Sequence, residues 1–409
     1  MEKIVAVIRS NGLNKLNLYD TLRAKGYRIA LFTDKIQDES HCISDYLIQT
    51  NTNNTDILVS DVINFSLTHN KLVAVTSFTE FAIQQASLIA ELLSLPGPSY
   101  VAISTCRNKF LTRCKLANLS LPSPKFGLIK SVEDIEEFCK EVPLPIIVKP
   151  VNYSGALGVV KIDEVHEIER KFAELAGLVN PEFSALMGKE HQHLWVAEEY
   201  ISGFEISVES YTCNGETHVV AIHDKVEPVE APFFLEEFFV TPSPRIGEEL
   251  NKTIKNCVKE TLRHIGFQNG ITHIEFRVKD GIPYLIEINP RPGGVLVVES
   301  TYYSTGVNLL EVGVEIAMGR IVSQEPEEHT PVAFKSITAP LGTIKSITGV
   351  DDLVVNDEIK IVQVKSKVGD IVLNRSSTAA VNILVTGAKM THLISRIREI
   401  SSKINVESE

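Results

Sequence analysis

Tryptophan occurs once in 409 residues, methionine four times and cysteine six times, and the cysteines (Cys42, Cys106, Cys114, Cys139, Cys213, Cys257) include no CxxC pair. Scattered thiols without paired spacing argue against a zinc ribbon and a disulfide framework, and they predict a reducing, cytoplasmic setting. No apolar run reaches the ~18 residues needed to span a bilayer, so no membrane partner is expected. The opening MEKIVAVIRSNG alternates and stops early, as a strand does and a signal peptide does not. Positive charge is also short. Lys and Arg number 40 against 52 Asp and Glu, a net charge of −12, which makes a nucleic-acid backbone an unsuitable partner. After the first strand the chain reads SNGLN rather than GxGxxG, so a dinucleotide fingerprint is missing. An acidic chain can still hold an anionic nucleotide through local basic groups and a metal.

At this length two or three domains are expected. KIVAVI (3–8), YRIALFT (27–33) and KLVAVT (71–76) read as buried strands alternating with helices at 14–25 and up to residue 93, which implies a parallel sheet covered on both faces. LPGPSY (95–100) is a Pro/Gly boundary. Beyond it, 98–118 reads as helix, and 143–151, 198–208 and 217–223 as strands. Residues 247–266 read as helix and 270–290 as a hairpin. From residue 331 the chain is strand-rich and ends in a helix at 387–403.

The hairpin carries the chemistry. In ITHIEFRVKDGIPYLIEINPRPGG, His273, Glu275 and Arg277 share one strand face, and Glu287, Asn289 and Arg291 share parity beyond the KDG turn, while Leu285 breaks the alternation. A two-residue Asp-Gly loop would pair Glu275 with Ile286 and part the glutamates. A three-residue loop would put both carboxylates on one face, with Cβ atoms roughly 5–8 Å apart. The three-residue loop is the expectation. Two carboxylates and an amide oxygen suit a hard cation such as Mg²⁺, Arg291 can clamp a phosphate, and Gly293-Gly294 permits close backbone approach.

Three further segments could hold a nucleotide. IIVKPVNYSGALGVV delivers Lys149 on a strand before a small-residue loop with Ser154, Gly155, Ala156 and Gly158, suited to phosphates. CRNKFLTR starts a helix at Lys109. In AEEYISGFE, backbone groups of a strand edge from Glu199 to Ile201 could read an adenine ring, and Glu205 could accept from ribose hydroxyls.

In order and spacing these four motifs resemble the ATP-grasp superfamily, over about residues 98 to 320. The resemblance implies a mixed α/β and α+β fold. A Rossmann-like domain at 1–97 would precede an ATP-grasp domain at 98–330 with a lid at about 122–200, and a small strand-rich domain would follow at 331–409. It implies ATP contacts at Lys109, Lys149, Ser154, Gly155, Ala156, Gly158, Glu198, Glu199, Tyr200, Ile201 and Glu205. Metal ligands would be Glu275, Glu287 and Asn289, holding two Mg²⁺ or Mn²⁺ ions, and Arg291 would steady the transferring phosphate. Ala156 and Leu157 depart from the Ser and basic residue many relatives carry there, which weakens that loop's assigned role.

HDKVEPVEAPFFLEEFFVTPSP (223–244) resembles the substrate-reading segment of L-amino-acid ligases, which would put Lys225, Glu236, Gly293 and Gly294 at the substrates. The activity implied is ATP-dependent amide formation between an L-amino acid and a second amino acid or amine through an acyl phosphate, by a cytoplasmic homodimer acting on small molecules. The alternatives are the same chemistry on another acceptor, in a secondary-metabolite or nucleotide-precursor pathway, and a non-catalytic ATP-binding regulator. Without an MKM-like segment a biotin-dependent carboxylase is disfavoured.

Overall fold

The run KIVAVI is apolar at nearly every position because it lies in the interior of a parallel sheet with both faces covered. In this computed structural model, strands β1 (Lys3–Ile8), β2 (Tyr27–Thr33), β3 (Tyr46–Gln49) and β4 (Leu72–Thr76) form a parallel sheet in the order β3-β2-β1-β4. The structure describes every residue except 1, 2, 11, 70, 81, 118, 120, 154–157, 178–193, 228–237, 325, 327, 328 and 374–378. The sequence reading of 98–118 as one helix becomes two, Tyr100–Arg107 and Lys109–Leu116. They are separated by Asn108, whose extended backbone (φ −99°, ψ 104°) breaks the first and whose side chain caps the second through Leu111 N–H.

A second sheet holds β5 (Phe126–Ile129), β6 (Ile146–Pro150), β7 (Val160–Ile162) and β8 (Trp195–Glu199) in the order β5-β8-β6-β7. The third and largest takes β9 (Phe204–Cys213), β10 (Glu216–Lys225), β11 (Phe238–Thr241), β12 (Gly270–Lys279), β13 (Ile282–Asn289) and β14 (Val332–Thr338). After β15 (Gly342–Thr348) it also takes β16 (Ile359–Val364) and, past β17 (Ile371–Val372), β18 (Ala379–Thr386). Its order is β13-β12-β9-β10-β11-β14-β18-β16, so strands from the C-terminal segment extend the central sheet. β17, β15 and β19 (Asn405–Ser408) form a small sheet of their own.

The single strand expected over 198–208 is two strands in two sheets. The chain turns at Gly203, whose φ of +115° is in the left-handed region and whose added Cβ would lie 2.2 Å from the Val278 carbonyl oxygen. One face of the central sheet is apolar: Ile206, Val208, Ile274, Phe276, Leu285 and Ile288 bury against Ile254, Val258 and Leu262 of helix Glu248–Ile265. The opposite face carries the charged residues. Toward Tyr211 and Ile271 that face packs on helix Leu309–Ala317, in a core cluster shared with Val5, Val7 and Leu31 of the N-terminal sheet. The N-terminal sheet is thereby anchored against the central one. Among the described residues no helix is long and apolar enough to cross a membrane.

Candidate active site

The hairpin turn is a two-residue loop, not the three-residue loop expected. Lys279 pairs with Ile282, and Asp280 (φ 52°) and Gly281 (φ 77°) both take the left-handed conformation of a tight primed turn. The two glutamates still face each other, because the register shifts between Glu275 and Phe276: Phe276 pairs with Leu285 but Glu275 pairs with Glu287. Ile286 is the extra residue of a β-bulge. The bulge also explains Leu285, which joins Ile288 and Phe276 on the apolar face. The Ile286 carbonyl is secured by Arg113, whose Nη2 donates to it at 2.9 Å.

On the charged face, cross-strand register lines up Asn289 with His273 and Glu287 with Glu275, and on the other side His273, Glu275 and Arg277 lie opposite Glu209, Ser207 and Glu205 of β9. His223 lies opposite Ser207. Cations and carboxylates alternate across it. Lys109 Nζ is 3.0 Å from Glu287 Oε1 and donates to Tyr153 O at 2.5 Å. Lys225 pairs with Glu205 and stands 3.6 Å from Glu275 Oε2. Arg277 Nε donates to Glu205 Oε2 at 3.2 Å. His273 bridges Glu209 and Glu275, its Nε2 lying 3.3 Å from Glu275 Oε1. Burial works against an ionised Glu275, but Lys225, His273 and Arg291 outweigh it and hold the carboxyl far below the usual range.

Arg291 donates from Nε to Glu80 Oε2 at 2.9 Å, from Nη2 to Asn289 Oδ1 at 3.3 Å and from Nη1 to Pro292 O at 2.9 Å. The structure therefore brings together Lys109, Glu205, Lys225, Glu275, Glu287, Asn289 and Arg291.

Lys149 and Glu198 sit on adjacent strands of the second sheet as a buried pair, Nζ to Oε2 2.7 Å, and Glu198 Oε1 accepts from Arg113 Nε at 2.9 Å. Burial opposes both charges. Arg113 and Lys149 nonetheless lower Glu198 to about 2, while burial, Arg113 and Lys109 pull Lys149 below its ordinary value. Both Glu198 oxygens are thus engaged within the protein. Arg113, four residues after Lys109 on the same helix, ties this lysine to the hairpin bulge.

Glu199 ends β8, which is flanked by β5 and β6 rather than lying on a sheet edge as expected, and Tyr200 and Ile201 follow the strand. Glu199 N–H donates to Lys125 O, Tyr200 N–H to Pro145 O, and Ile201 O accepts from Arg277 at 3.0 Å. The Tyr200 ring carries Lys161 Nζ 4.5 Å from its centroid. Gly158 (φ +70°) would meet Pro150 if it bore a Cβ. Ser154, Gly155, Ala156 and Glu236 lie outside the described residues.

The two glycines of the pair differ. A Cβ on Gly293 would lie 2.4 Å from Val297 Cγ1 and 2.8 Å from His273 Nδ1, and Gly293 N–H donates to Glu209 at 3.2 Å, whereas a Cβ on Gly294 meets nothing. Gly293→Ala is expected to destabilise the chain and displace the loop beside His273, with about 2 kcal/mol lost in urea unfolding. Gly294→Ala should unfold like wild type.

His223 is fully buried, and burial lowers it from 6.5 to about 4, so between these values only the unfolded chain takes the proton. Stability from this group is present above pH 6.5 and lost as pH falls toward 4. For His273 burial is outweighed by Glu209 and Glu275, which raise it to about 10. Its contribution is full below pH 6.5 and lost as pH rises through 10. Thermal melts across pH should fall on both sides of neutrality, with His223→Asn flattening the acid limb.

Residues 142–299 match the ATP-grasp domain family. These residues are an ATP-grasp domain. The chain is 25% identical to the alanine–anticapsin ligase of Bacillus subtilis over 256 residues, 59% of this chain and 53% of that one. It is 27% identical to the D-alanine–D-alanine ligase of Flavobacterium psychrophilum over 212 residues, 50% and 60% of the two chains. The chain thus spans little more than half the length of these relatives. An L-amino acid ligase structure from Bacillus licheniformis superposes with a TM-score of 0.85 over 100% of this chain and 99% of that one, at 23% identity. That likeness covers the fold of the whole chain, in which the N-terminal parallel sheet precedes the ATP-grasp domain and a strand-rich C-terminal region follows it, as the sequence motifs imply. Within this fold the hairpin carboxylates meet Lys109 of helix Lys109–Leu116 and Lys225 of β10.

Proposed function

We propose that the chain is an ATP-dependent carboxylate–amine ligase that joins an L-amino acid to a second amino acid or amine, releasing ADP and phosphate. The observation that carries this is the single sheet face on which Glu275 and Glu287 lie opposite each other amid Lys109, Lys225 and Arg291. Likeness to ligases that use amino acids supports the substrate class. The domain division 1–97, 98–330 with a lid at about 122–200, and 331–409 belongs to the same reading.

Lys109 and Lys149 neutralise phosphate oxygens, Glu199 and Ile201 read adenine through backbone groups, and Glu205 accepts from ribose hydroxyls with the lone pairs that Lys225 and Arg277 leave open. Glu275, Glu287 and Asn289 would hold Mg²⁺. Among the described residues no cluster of three or more His, Cys, Asp or Glu forms a metal cage, and two carboxylates with one amide fit a cation that completes its shell with water and phosphate. When bound, that ion supplies charge neutralisation at the transferring phosphate. Arg291 keeps two of its five N–H groups free of the three contacts described above and turns them to the charge that develops as a substrate carboxylate takes the γ-phosphate. The amine then attacks the acyl phosphate, the amide forms, and phosphate leaves. Lys225, the Gly293-Gly294 segment and Glu236 serve the amino-acid substrates, with Glu236 as the ammonium partner.

Incubation with ATP, Mg²⁺ and L-amino acids, singly and in pairs, tests this. Phosphate release requiring two amino acids, with a product mass equal to their sum minus water, is the expected outcome. ATP binding with no stimulation by any pair would overturn the substrate class.

A further inference from the structure

Arg291 is oriented from outside its own domain. Glu80 follows β4 at the carboxyl end of the N-terminal parallel sheet, the end at which open α/β sheets place their working groups. Its carboxylate is buried, with a side chain 8% exposed. One oxygen accepts from Arg291 Nε at 2.9 Å and the other from Arg107 Nε at 3.0 Å. Arg107 is held in turn by Gln84, whose Oε1 accepts from Nη1 at 2.6 Å. An isolated buried carboxylate would be costly, and this one stays ionised because both arginines face it. With each oxygen already accepting from a guanidinium, Glu80 is built to hold arginines in place. Arg291 by itself follows a strand end and precedes Pro292, where a long side chain has several rotamers. Its contacts to Asn289 and to the Pro292 carbonyl lie within two residues in sequence. Glu80, 211 residues away, supplies the long-range contact that selects among them.

We propose that Glu80 is a positioning residue that aims the Arg291 guanidinium at the transferring phosphate, so that the N-terminal domain forms part of the reaction centre. This rests on the ligase reading for the role of Arg291, but the Glu80–Arg291 link can be tested separately.

The test uses Glu80→Gln, which keeps shape and an acceptor but removes the charge. In the full chain labelled with ¹⁵N-arginine, the Arg291 Nε–H signal is assigned by its loss in Arg291→Lys. It should shift or broaden in Glu80→Gln while most other arginine signals stay in place. With the amino-acid pair that supports phosphate release, kcat should fall about a hundred-fold, as for a misplaced group, with the KM for ATP little changed. In an Arg291→Met background, Glu80→Gln should cost nothing further, because its effect is routed through that arginine. An unmoved Arg291 signal, an unchanged kcat, or losses that multiply in the double variant would each overturn the proposal. If wild-type protein releases no phosphate with any pair, the ligase reading has failed, and the arginine signal still decides whether Glu80 fixes Arg291.

Discussion

Glu287→Gln is expected to lower pair-dependent phosphate release by about a thousand-fold, roughly 4 kcal/mol of lost transition-state stabilisation, while the chain melts close to wild type. Gln has the shape of Glu and its amide oxygen can still accept from Lys109, which stands 3.0 Å from Glu287 Oε1. The fold therefore loses the charge, but not the hydrogen bond, of one largely buried ion pair. The proposed metal site loses half its carboxylate charge, since Glu275 is the other acidic ligand assigned to it. Steady-state kinetics against Mg²⁺ concentration separates the two effects. A variant that regains activity at high Mg²⁺ has lost affinity at that site, and one with wild-type kcat and Mg²⁺ dependence would remove Glu287 from it.

The second large effect falls on stability. Arg113 is 2% exposed and holds Glu198 with Nε and the bulge carbonyl of Ile286 with Nη2. Arg113→Met would leave Glu198 with Lys149 alone and the carbonyl without its donor. Breaking such a buried pair costs about 3–5 kcal/mol, measurable as a shift of the urea midpoint. Because the same guanidinium fixes the carboxylate that orients Lys149, the KM for ATP should also rise, about ten-fold for 1.4 kcal/mol of lost binding. Arg113→Lys, which keeps the charge but not the fork, should recover only part of either loss. A Met variant as stable as wild type would show that Lys149 and the hairpin are not tied through this residue.

The sequence made the charged face legible because period-two alternation survives any loop: Glu275 with His273 and Arg277, and Glu287 with Asn289. What it hid was the device that brings the two runs together. Loop length is not the only register control: the chain uses a tight two-residue turn and corrects the register with a bulge at Ile286. Leu285, out of phase in an otherwise regular strand, was the signal for it. The same alternation, followed past Glu205 through Ser207, would have reached Glu209, the carboxylate that anchors both His273 and Gly293. Glu198 and Lys149, expected from the sequence as ligand contacts, pair with each other, and that pairing depends on a sheet order that joins β6 to β8 across about 45 residues. Arg113 could be placed from Lys109 by helical spacing, but nothing local marks its partners, which come from 85 and 173 residues away. Glu80 is hidden for the same reason.

The most direct test of the central claim is isotope transfer. With the amino-acid pair that supports phosphate release, the first substrate is supplied with ¹⁸O in its carboxylate, and the phosphate and nucleotide products are weighed. Activation as an acyl phosphate, followed by attack of the amine, predicts one ¹⁸O in each phosphate released and none in the nucleotide. Unlabelled phosphate, or label recovered in AMP, would contradict the account.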